Sequence, residues 1–280
     1  MPSLRVAAIT LTASADKASN IRQAETYVRE AARLGADWVV LPEIFHFHGP
    51  YSLLWDMAEE EGGPLFQTMS RWARDLKVCL FGGTIGERPT TPDESKRVFN
   101  THYVFNRSGI CIGKYQKIHL FNLLDERGQK IYCESDGFVA GNEVQSVTLD
   151  GLHVGLSICY DIRFSGLFLA IEKRRPLDVI VCPAAFTMKT GKDHWELLTR
   201  ARAIEHQCSV LAANQTGVHS PGKESYGHSM VIDPWGTKLA DTGEPPGIAL
   251  ASIDSERIDA VRRQLPALAN RRADLERAGS

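Results

Sequence analysis

The stretch Gly155–Phe164, GLSICYDIRF, decides how the chain is to be read. An apolar run reaches Cys159 and then turns toward a helix. Such a cysteine is either small buried filler, since cysteine is among the residue types most often found inside, or a nucleophile held at a strand-to-helix bend. The segments on either side bear on the choice.

Upstream and downstream of this stretch, apolar runs alternate with amphipathic ones. "VQSVTL" and "HVGLSIC" read as strands, followed by a helix near 164–174 and the strand "DVIVCP". "RVAAIT" precedes "NIRQAETYVREAARLGA", where Ile21, Ala24, Val28, Ala31 and Ala32 recur at helical spacing and Gly35 can close the helix. "DWVVLPE" reads as a strand ending at Pro42. "PLFQTMSRWARDLK" reads as a helix after Gly62-Gly63 and leads into the strand "VCLFGGTI". "RVFNTHYVFN" and "ICIGKY" look like a hairpin about Ser108-Gly109. Residues 117–143 show no clear period and read as a long loop, of a length that is usually functional or disordered. The helix "DHWELLTRARAIEHQ", strands at "CSVLAAN", "YGHSMVID" and "GIALASI", and a short last helix complete the chain. This alternation favours one α/β domain over 1–280, with a core of about 4–265 and a tail of about 266–280.

Composition bounds the function. With 43% hydrophobic and 24% charged residues in 280, the chain can bury a substantial core. Its formal charge of −2 gives no global field for nucleic acid or an acidic membrane. The pairs Arg262-Arg263 and Arg271-Arg272, with Asp259, Asp274 and Glu276 nearby, read as a solvated helix face or tail. The six cysteines form no C-x-x-C pair or Cys/His cluster, so no metal site is expected, and reduced thiols are. No apolar run approaches the roughly 18 residues of a membrane span. Ala13-Ser14-Ala15 mimics a signal cleavage site, but the apolar part before it is broken by Thr10 and Thr12 and its only basic residue is Arg5. "RVAAIT" therefore reads as the first strand, and a cytoplasmic protein is expected.

Three chemically distinct groups share one topological position. Glu43 follows "WVVLP", Lys117 follows "ICIGKYQ", and Cys159 ends "HVGLSIC", each beyond the end of a strand, where α/β sheets gather their chemistry. Each alone has a bland explanation: a solvated loop acid, a surface lysine, an inert core thiol. Together they suit acyl transfer from an amide. A thiol needs a base, here Glu43. The tetrahedral intermediate needs fixed donors, which Lys117 and the backbone N–H of Tyr160 can supply. A Cys–His pair lacks a motif tying any of the nine histidines to Cys159. A G-x-S-x-G serine elbow is matched only by "GLS", and glycine-rich phosphate motifs are absent.

At this point a family becomes visible. "LPE", "KYQKIHLF" and "SICYDIRF", in that order, resemble the Glu, Lys and Cys motifs of the nitrilase superfamily of carbon–nitrogen hydrolases, and "HWELLTRARAIEHQ" and "YGHSMVIDPWG" look like its later blocks. The resemblance runs from "RVAAIT" to "RRQLPAL". It implies a four-layer α-β-β-α sandwich that associates into homodimers or higher homo-oligomers, no cofactor, and a Glu43–Lys117–Cys159 triad working through a thioester. It also implies a second active-site glutamate, placed by "CESDGF" at Glu134. The nearest branch looks like the amidases of small anionic 2-oxo acid amides, omega-amidase and deaminated-glutathione amidase, with "PAAFTMKTGKDHWELL" and "RARAIEHQCSVLAANQTGVHS" leaning toward the second. There Arg163 would bind a substrate carboxylate through its bidentate fork, beside Tyr160, Phe186 and Thr190. Arg163 has a structural alternative, a salt bridge at the helix start.

Departures bear on substrate identity. The branch pattern C-Y-D-x-R-F-P-E-L becomes Ser165-Gly166-Leu167 after Phe164, which loses a glutamate and puts a helix-weakening glycine in its place. "NLLDERGQKIY" replaces the usual segment after "KIHLF", and Ala140 and Asn142 replace a common Pro and Asp. His46 and His48 read as part of a pocket-lining loop rather than as ligands, and Tyr226, His228 and Ser229 as structural hydrogen-bonders. Trp195 and Leu198 have the spacing of a buried helical face, on a helix that also suits a dimer contact. The rival readings are a non-catalytic nitrilase-fold scaffold or ligand-binding protein, and a hydrolase of another amide or of a nitrile. Alkylation is the expected discriminator, with Cys159 labelled before the other five thiols.

Overall fold

The computed structural model describes residues 3–91, 95–173, 175–220 and 222–272. Within them, strand alternation builds two sheets that face each other. In Leu4–Thr10, Val6 and Ala8 point to one core and Ala7 and Ile9 to another. Trp38 and Val40 against Val39, and Cys79 and Phe81 against Leu80, repeat the split, as a two-residue period requires. The first sheet has eight strands in the order Gly247–Ile253, Leu4–Thr10, Trp38–Val40, Cys79–Phe81, Val98–Phe105, Ile85–Glu87, with Cys111–Gln116 and Phe138–Val139 also on Val98–Phe105. The second has six: Ser146–Leu149, Leu152–Leu156, Val179–Ala184, Ser209–Asn214, Met230–Ile232, Lys238–Asp241.

Val6, Trp38 and Phe81 of the first sheet share a core with Val154, Leu156, Val181 and Leu211 of the second. The helices Lys17–Arg33 and Pro64–Leu76 cover the outer face of the first sheet through Ala24, Val28, Leu65, Met69 and Trp72. Ser165–Glu172 and Glu196–His206 cover the second. The result is the expected α-β-β-α sandwich. Each sheet has a parallel heart: Leu4–Thr10, Trp38–Val40 and Cys79–Phe81 in one, Leu152–Leu156, Val179–Ala184 and Ser209–Asn214 in the other.

Several boundaries differ from the sequence reading, each for a local reason. "VCLFGGTI" is two strands, Cys79–Phe81 and Ile85–Glu87. The chain bends at Gly83, where φ is +55° and a Cβ would lie 2.2 Å from the Pro42 carbonyl oxygen. "YGHSMVID" breaks between Lys223–Tyr226 and Met230–Ile232 because Gly227 and His228 both have positive φ. "HVGLSIC" leaves the sheet after Leu156, so Cys159 follows its strand rather than ending it. Segment 117–143 is not a bare loop. Asn122–Leu124 pairs antiparallel with Lys130–Cys133, and Phe138–Val139 then joins the first sheet. Both hairpin strands are largely exposed, which removes the apolar period a sequence reading relies on.

On Glu196–His206 the buried face is mostly polar: Thr199, Arg202, Ala203 and His206 are buried, whereas Leu198 is only partly so. Trp195 is fully buried, as its spacing suggests. The last helix is Ser255–Gln264, and positions 273–280 of the expected tail, including Asp274 and Glu276, lie outside the described residues. No helix among the described residues is long and apolar enough to cross a membrane.

Gly166 is exposed in the first turn of Ser165–Glu172, and a Cβ there would meet nothing within 4 Å. Nothing in the packing requires the glycine. Gly166→Ala is therefore expected to stabilise the protein by about 0.5–1 kcal/mol, read as a rise in denaturation midpoint with unchanged m-value.

Candidate active site

The chain leaves the parallel hearts of both sheets at one end of the sandwich, and Glu43 and Cys159 meet there. Glu43 is tied to both sheets. Its N–H reaches the Ala184 carbonyl at 3.3 Å, and its own carbonyl accepts the Gln215 side-chain amide at 2.8 Å. Ile44, immediately after it, has φ +42° and donates its N–H to Thr84 Oγ1 at 2.7 Å. Cys159 itself has φ +49°. Non-glycine residues in this region are strained, and such strain clusters where geometry is dictated by function.

Asp161 fixes the cysteine turn. Its buried carboxylate accepts the Ile158 N–H at 2.9 Å and the Tyr115 hydroxyl at 2.7 Å, while the other oxygen accepts the His119 N–H at 3.1 Å and lies 2.7 Å from His119 Nδ1. Tyr115 and His119 flank Lys117. One aspartate thus holds the Cys159 turn and the Lys117 segment in register.

Lys117 is 1% exposed, and its ammonium bridges two buried carboxylates. Nζ lies 2.8 Å from Glu43 Oε1, 2.9 Å from Glu134 Oε1 and 2.7 Å from Glu134 Oε2. Asn100 joins the same pair, donating to Glu43 at 2.8 Å and to Glu134 at 3.1 Å. The Phe121 N–H donates to Glu134 Oε2 at 2.7 Å. The two glutamates therefore differ. Both oxygens of Glu134 are occupied by nitrogen donors. Glu43 is held through Oε1, and its Oε2 takes no nitrogen donor among the described residues, which leaves one oxygen for proton transfer.

Electrostatics sort the protons. Burial works to lower the Lys117 pKa, but Glu134 and Glu43 outweigh it and hold the ammonium well above the ordinary lysine value. Burial raises Glu134, with Lys117 opposing and Glu43 adding. Burial, then the Glu43 carboxylate, push the Cys159 thiol well above its ordinary value, against the pull of Lys117. At rest the cysteine is a thiol. The other shifted cysteines are pushed up chiefly by burial: Cys79 to about 11, Cys182 to about 12, and Cys111 and Cys208 upward.

Tyr160, Arg163, Phe186 and Thr190 come together with Cys159 and Phe121 around one small recess. The Arg163 guanidinium lies 5.6 Å from the Tyr160 ring and 5.3 Å from the Phe186 ring, with Nη2 3.2 Å from His194 Nδ1. Among the described residues no carboxylate pairs with it, so a salt bridge does not account for its position. A larger cavity of about 590 Å³ opens from the same point and is lined by Glu43, Lys117, Glu134, Cys159, the hairpin residues Leu123 and Tyr132, and His48. His46 is fully buried instead, and burial lowers its pKa to about 3. No His/Cys/Asp/Glu cluster able to hold a metal occurs among the described residues. Tyr226, His228 and Ser229 lie outside the cavity lining. Ser229 bonds Thr10 and Asn214, and His228 faces Asp241.

Asn100, Asp161 and Gln215 belong to the site and were not singled out from the sequence. The signal available for Asn100 was a polar residue inside the apolar run "RVFNTHYVF", where an unpaired amide would be costly.

Comparison with known proteins agrees with this architecture. The profile of the carbon-nitrogen hydrolase family matches residues 5–263. Deaminated glutathione amidase of Homo sapiens is 40% identical over 273 residues, covering 96% of this chain and 83% of its own. Omega-amidase of Mus musculus is 37% identical over 277 residues, covering 98% and 97%. The Caenorhabditis elegans NitFhit protein superposes with a TM-score of 0.88 at 36% identity, covering 98% of this chain, which spans 66% of that one. Saccharomyces cerevisiae Nit3, of branch 10 of the nitrilase superfamily, gives 0.83 at 30% identity, with 94% of each chain covered. The chain belongs to the carbon–nitrogen hydrolase family of the nitrilase superfamily. By class it is a hydrolase of carbon–nitrogen bonds other than peptide bonds.

Proposed function

We propose that the protein is a cysteine amidase that hydrolyses a small anionic 2-oxo acid amide through a thioester, with deaminated glutathione as first substrate and 2-oxoglutaramate as second. One observation carries the reading: a buried ammonium bridging two glutamates lines the same cavity as a strained, buried cysteine. The names of the human and mouse relatives support the choice of substrates.

The site's charges define a sequence of proton moves. As substrate enters, the Cys159 S–H proton passes to Glu43 Oε2 while sulfur bonds to the amide carbon. The carbonyl oxygen takes the negative charge, opposite Lys117 Nζ and the Tyr160 N–H. Glu43 then gives the proton to the amine nitrogen, the C–N bond breaks, and the acyl group remains on sulfur. Water attacks the thioester with Glu43 as base, and the proton returns to the departing thiolate. Glu134, saturated with donors, positions Lys117 rather than moving protons. Arg163 offers its fork to the carboxylate of the acyl half.

The direct test is to incubate the protein with each amide and follow 2-oxoglutarate release, beside a Cys159→Ala control. Cys159-dependent turnover of either supports the reading. Silence with both rejects these substrates and gives weight to another amide, a nitrile or a non-catalytic role.

Because the resting thiol is protonated, labelling by iodoacetamide depends on Glu43 as well as on access. Glu43→Gln is expected to slow alkylation of Cys159 at least about tenfold while leaving the partly exposed Cys133 unaffected, as read by peptide mass mapping. We also propose a homo-oligomer in the cytoplasm. Leu197 and Ile204, 67% and 49% exposed on Glu196–His206, are apolar side chains that such an association would cover.

A further inference from the structure

Arg163 is not the one cation at this site held by aromatic rings instead of an acid. Lys223 opens the strand Lys223–Tyr226 and lines the 590 Å³ cavity together with Cys159. Its ammonium lies 5.1 Å from the centre of the Tyr51 ring and 5.3 Å from that of Tyr132. The side chain is half-buried, and burial lowers its pKa from the ordinary lysine value. No carboxylate pairs with it among the described residues.

The acids of the cavity are engaged elsewhere. Glu43 and Glu134 hold Lys117. The Asp125 carboxylate accepts the N–H groups of Arg127 and Gln129 at 2.8 Å, closing its own turn. Glu126 and Glu224 are exposed to water, as is Lys189 on the same rim. Two imidazoles stand beside Lys223: His48 and His219, stacked with ring centres 3.8 Å apart, both lowered in pKa chiefly by burial and so neutral at pH 7. A lysine removed this far from water without a counter-ion is disfavoured unless something anionic completes it.

The two cations border different parts of the space. Arg163 lines the small recess, Lys223 the large cavity, and the two share Cys159, Phe121, Ala185, Thr187 and Thr190. A substrate whose scissile carbonyl sits at Cys159 therefore has one cation along each arm. Arg163 borders the recess beside Cys159, within reach of a carboxylate carried by the acyl half. The amine half has to leave to solvent, and the open cavity is its route.

We propose that Lys223 binds a carboxylate carried by the amine half of the substrate, so that the site selects amides with an anionic group on both sides of the scissile bond. This rests on the amidase reading above and deepens it. Deaminated glutathione has such a second carboxylate, at the end of its dipeptide amine half. 2-Oxoglutaramate releases only ammonia and leaves Lys223 without a partner.

The test compares deaminated glutathione with the same compound capped as its terminal carboxamide, in wild type, Lys223→Met and Lys223→Arg. The two compounds differ only at the carboxylate in question. The ratio of their kcat/KM values is independent of how much of a variant is folded. Wild type is expected to prefer the free acid at least about tenfold, mainly through KM. K223M should bring the ratio to within about twofold of one, and K223R should keep most of the preference. Wild type that hydrolyses both forms equally, or a preference that survives in K223M, overturns the assignment of Lys223 and leaves the amidase reading standing. Wild type that hydrolyses neither removes deaminated glutathione as a substrate and overturns this inference, while turnover of 2-oxoglutaramate, assayed beside them, decides separately whether the amidase reading stands.

Discussion

Cys159→Ala is expected to reduce amide turnover by at least about 10⁴-fold, to the level of background hydrolysis. The magnitude follows from what remains. In the roles proposed for them, Lys117, the Tyr160 N–H and Arg163 would still bind and polarise the amide, but no atom would be left to form the covalent intermediate. Glu43 would then have to direct water at an unactivated amide in a site shaped for sulfur. Binding should change far less than rate, because Tyr160, Arg163, Phe186 and Thr190, which line the recess together with Cys159, are themselves unchanged. The loss should appear in kcat, with the dissociation constant for the unreacted amide within a few-fold of the wild-type value, measured by calorimetry on the inactive variant. The fold should survive. The variant removes a thiol that burial and Glu43 keep protonated, so no buried charge loses its partner.

Lys117→Met is the opposite case, with a large effect on stability as well as on rate. The ammonium compensates two carboxylates, Glu43 at 2.8 Å and Glu134 at 2.7 Å, and all three side chains are almost wholly buried. Removing one member of a buried ion cluster leaves uncompensated charge and costs about 3–5 kcal/mol. The sign of the pH dependence follows from Glu134. Burial already raises its pKa in the wild type, Lys117 opposes that rise, and Glu43 adds to it. Without Lys117 the folded-state value climbs further above that of the unfolded chain. The folded variant then holds a proton that the unfolded chain has released, and its stability falls as pH rises from the unfolded carboxylate range through the raised folded value. The gap in unfolding free energy between wild type and K117M should therefore be smaller at pH 5 than at pH 8. Urea titrations at the two pH values check this. A gap that is equal at both, or wider in acid, would mean that the carboxylates are compensated by something other than Lys117.

The fold, and the meeting of Glu43, Lys117 and Cys159 at one end of it, were legible for a shared reason. Each of the three follows a strand, so position along the chain reports position at the sheet end. Glu134 gave no such signal. It follows an exposed hairpin without apolar period, and only the family resemblance pointed to it. Asn100 and Asp161 were illegible as site residues because their roles are tertiary. Asn100 bridges two carboxylates 57 and 34 residues away in sequence, and Asp161 reaches back 46 residues to Tyr115. Strand ends at Gly83 and His228 were misplaced because a positive φ leaves no mark on the hydrophobic pattern. Lys223 reads as one more polar-loop lysine until Tyr51 and Tyr132 are brought over it from distant segments.

The central claim is the thioester on Cys159, and acyl partitioning tests it most directly. Deaminated glutathione and 2-oxoglutaramate share an acyl half and differ only in the amine released. If both acylate Cys159, a single intermediate is formed, and methanol added to the reaction as a second acyl acceptor must divide it between the methyl ester and 2-oxoglutarate in one ratio whichever amide supplied it. The account predicts equal ratios from the two substrates at every methanol concentration, and neither product in Cys159→Ala. Ratios that differ between the two amides, or products that persist in the variant, would contradict it.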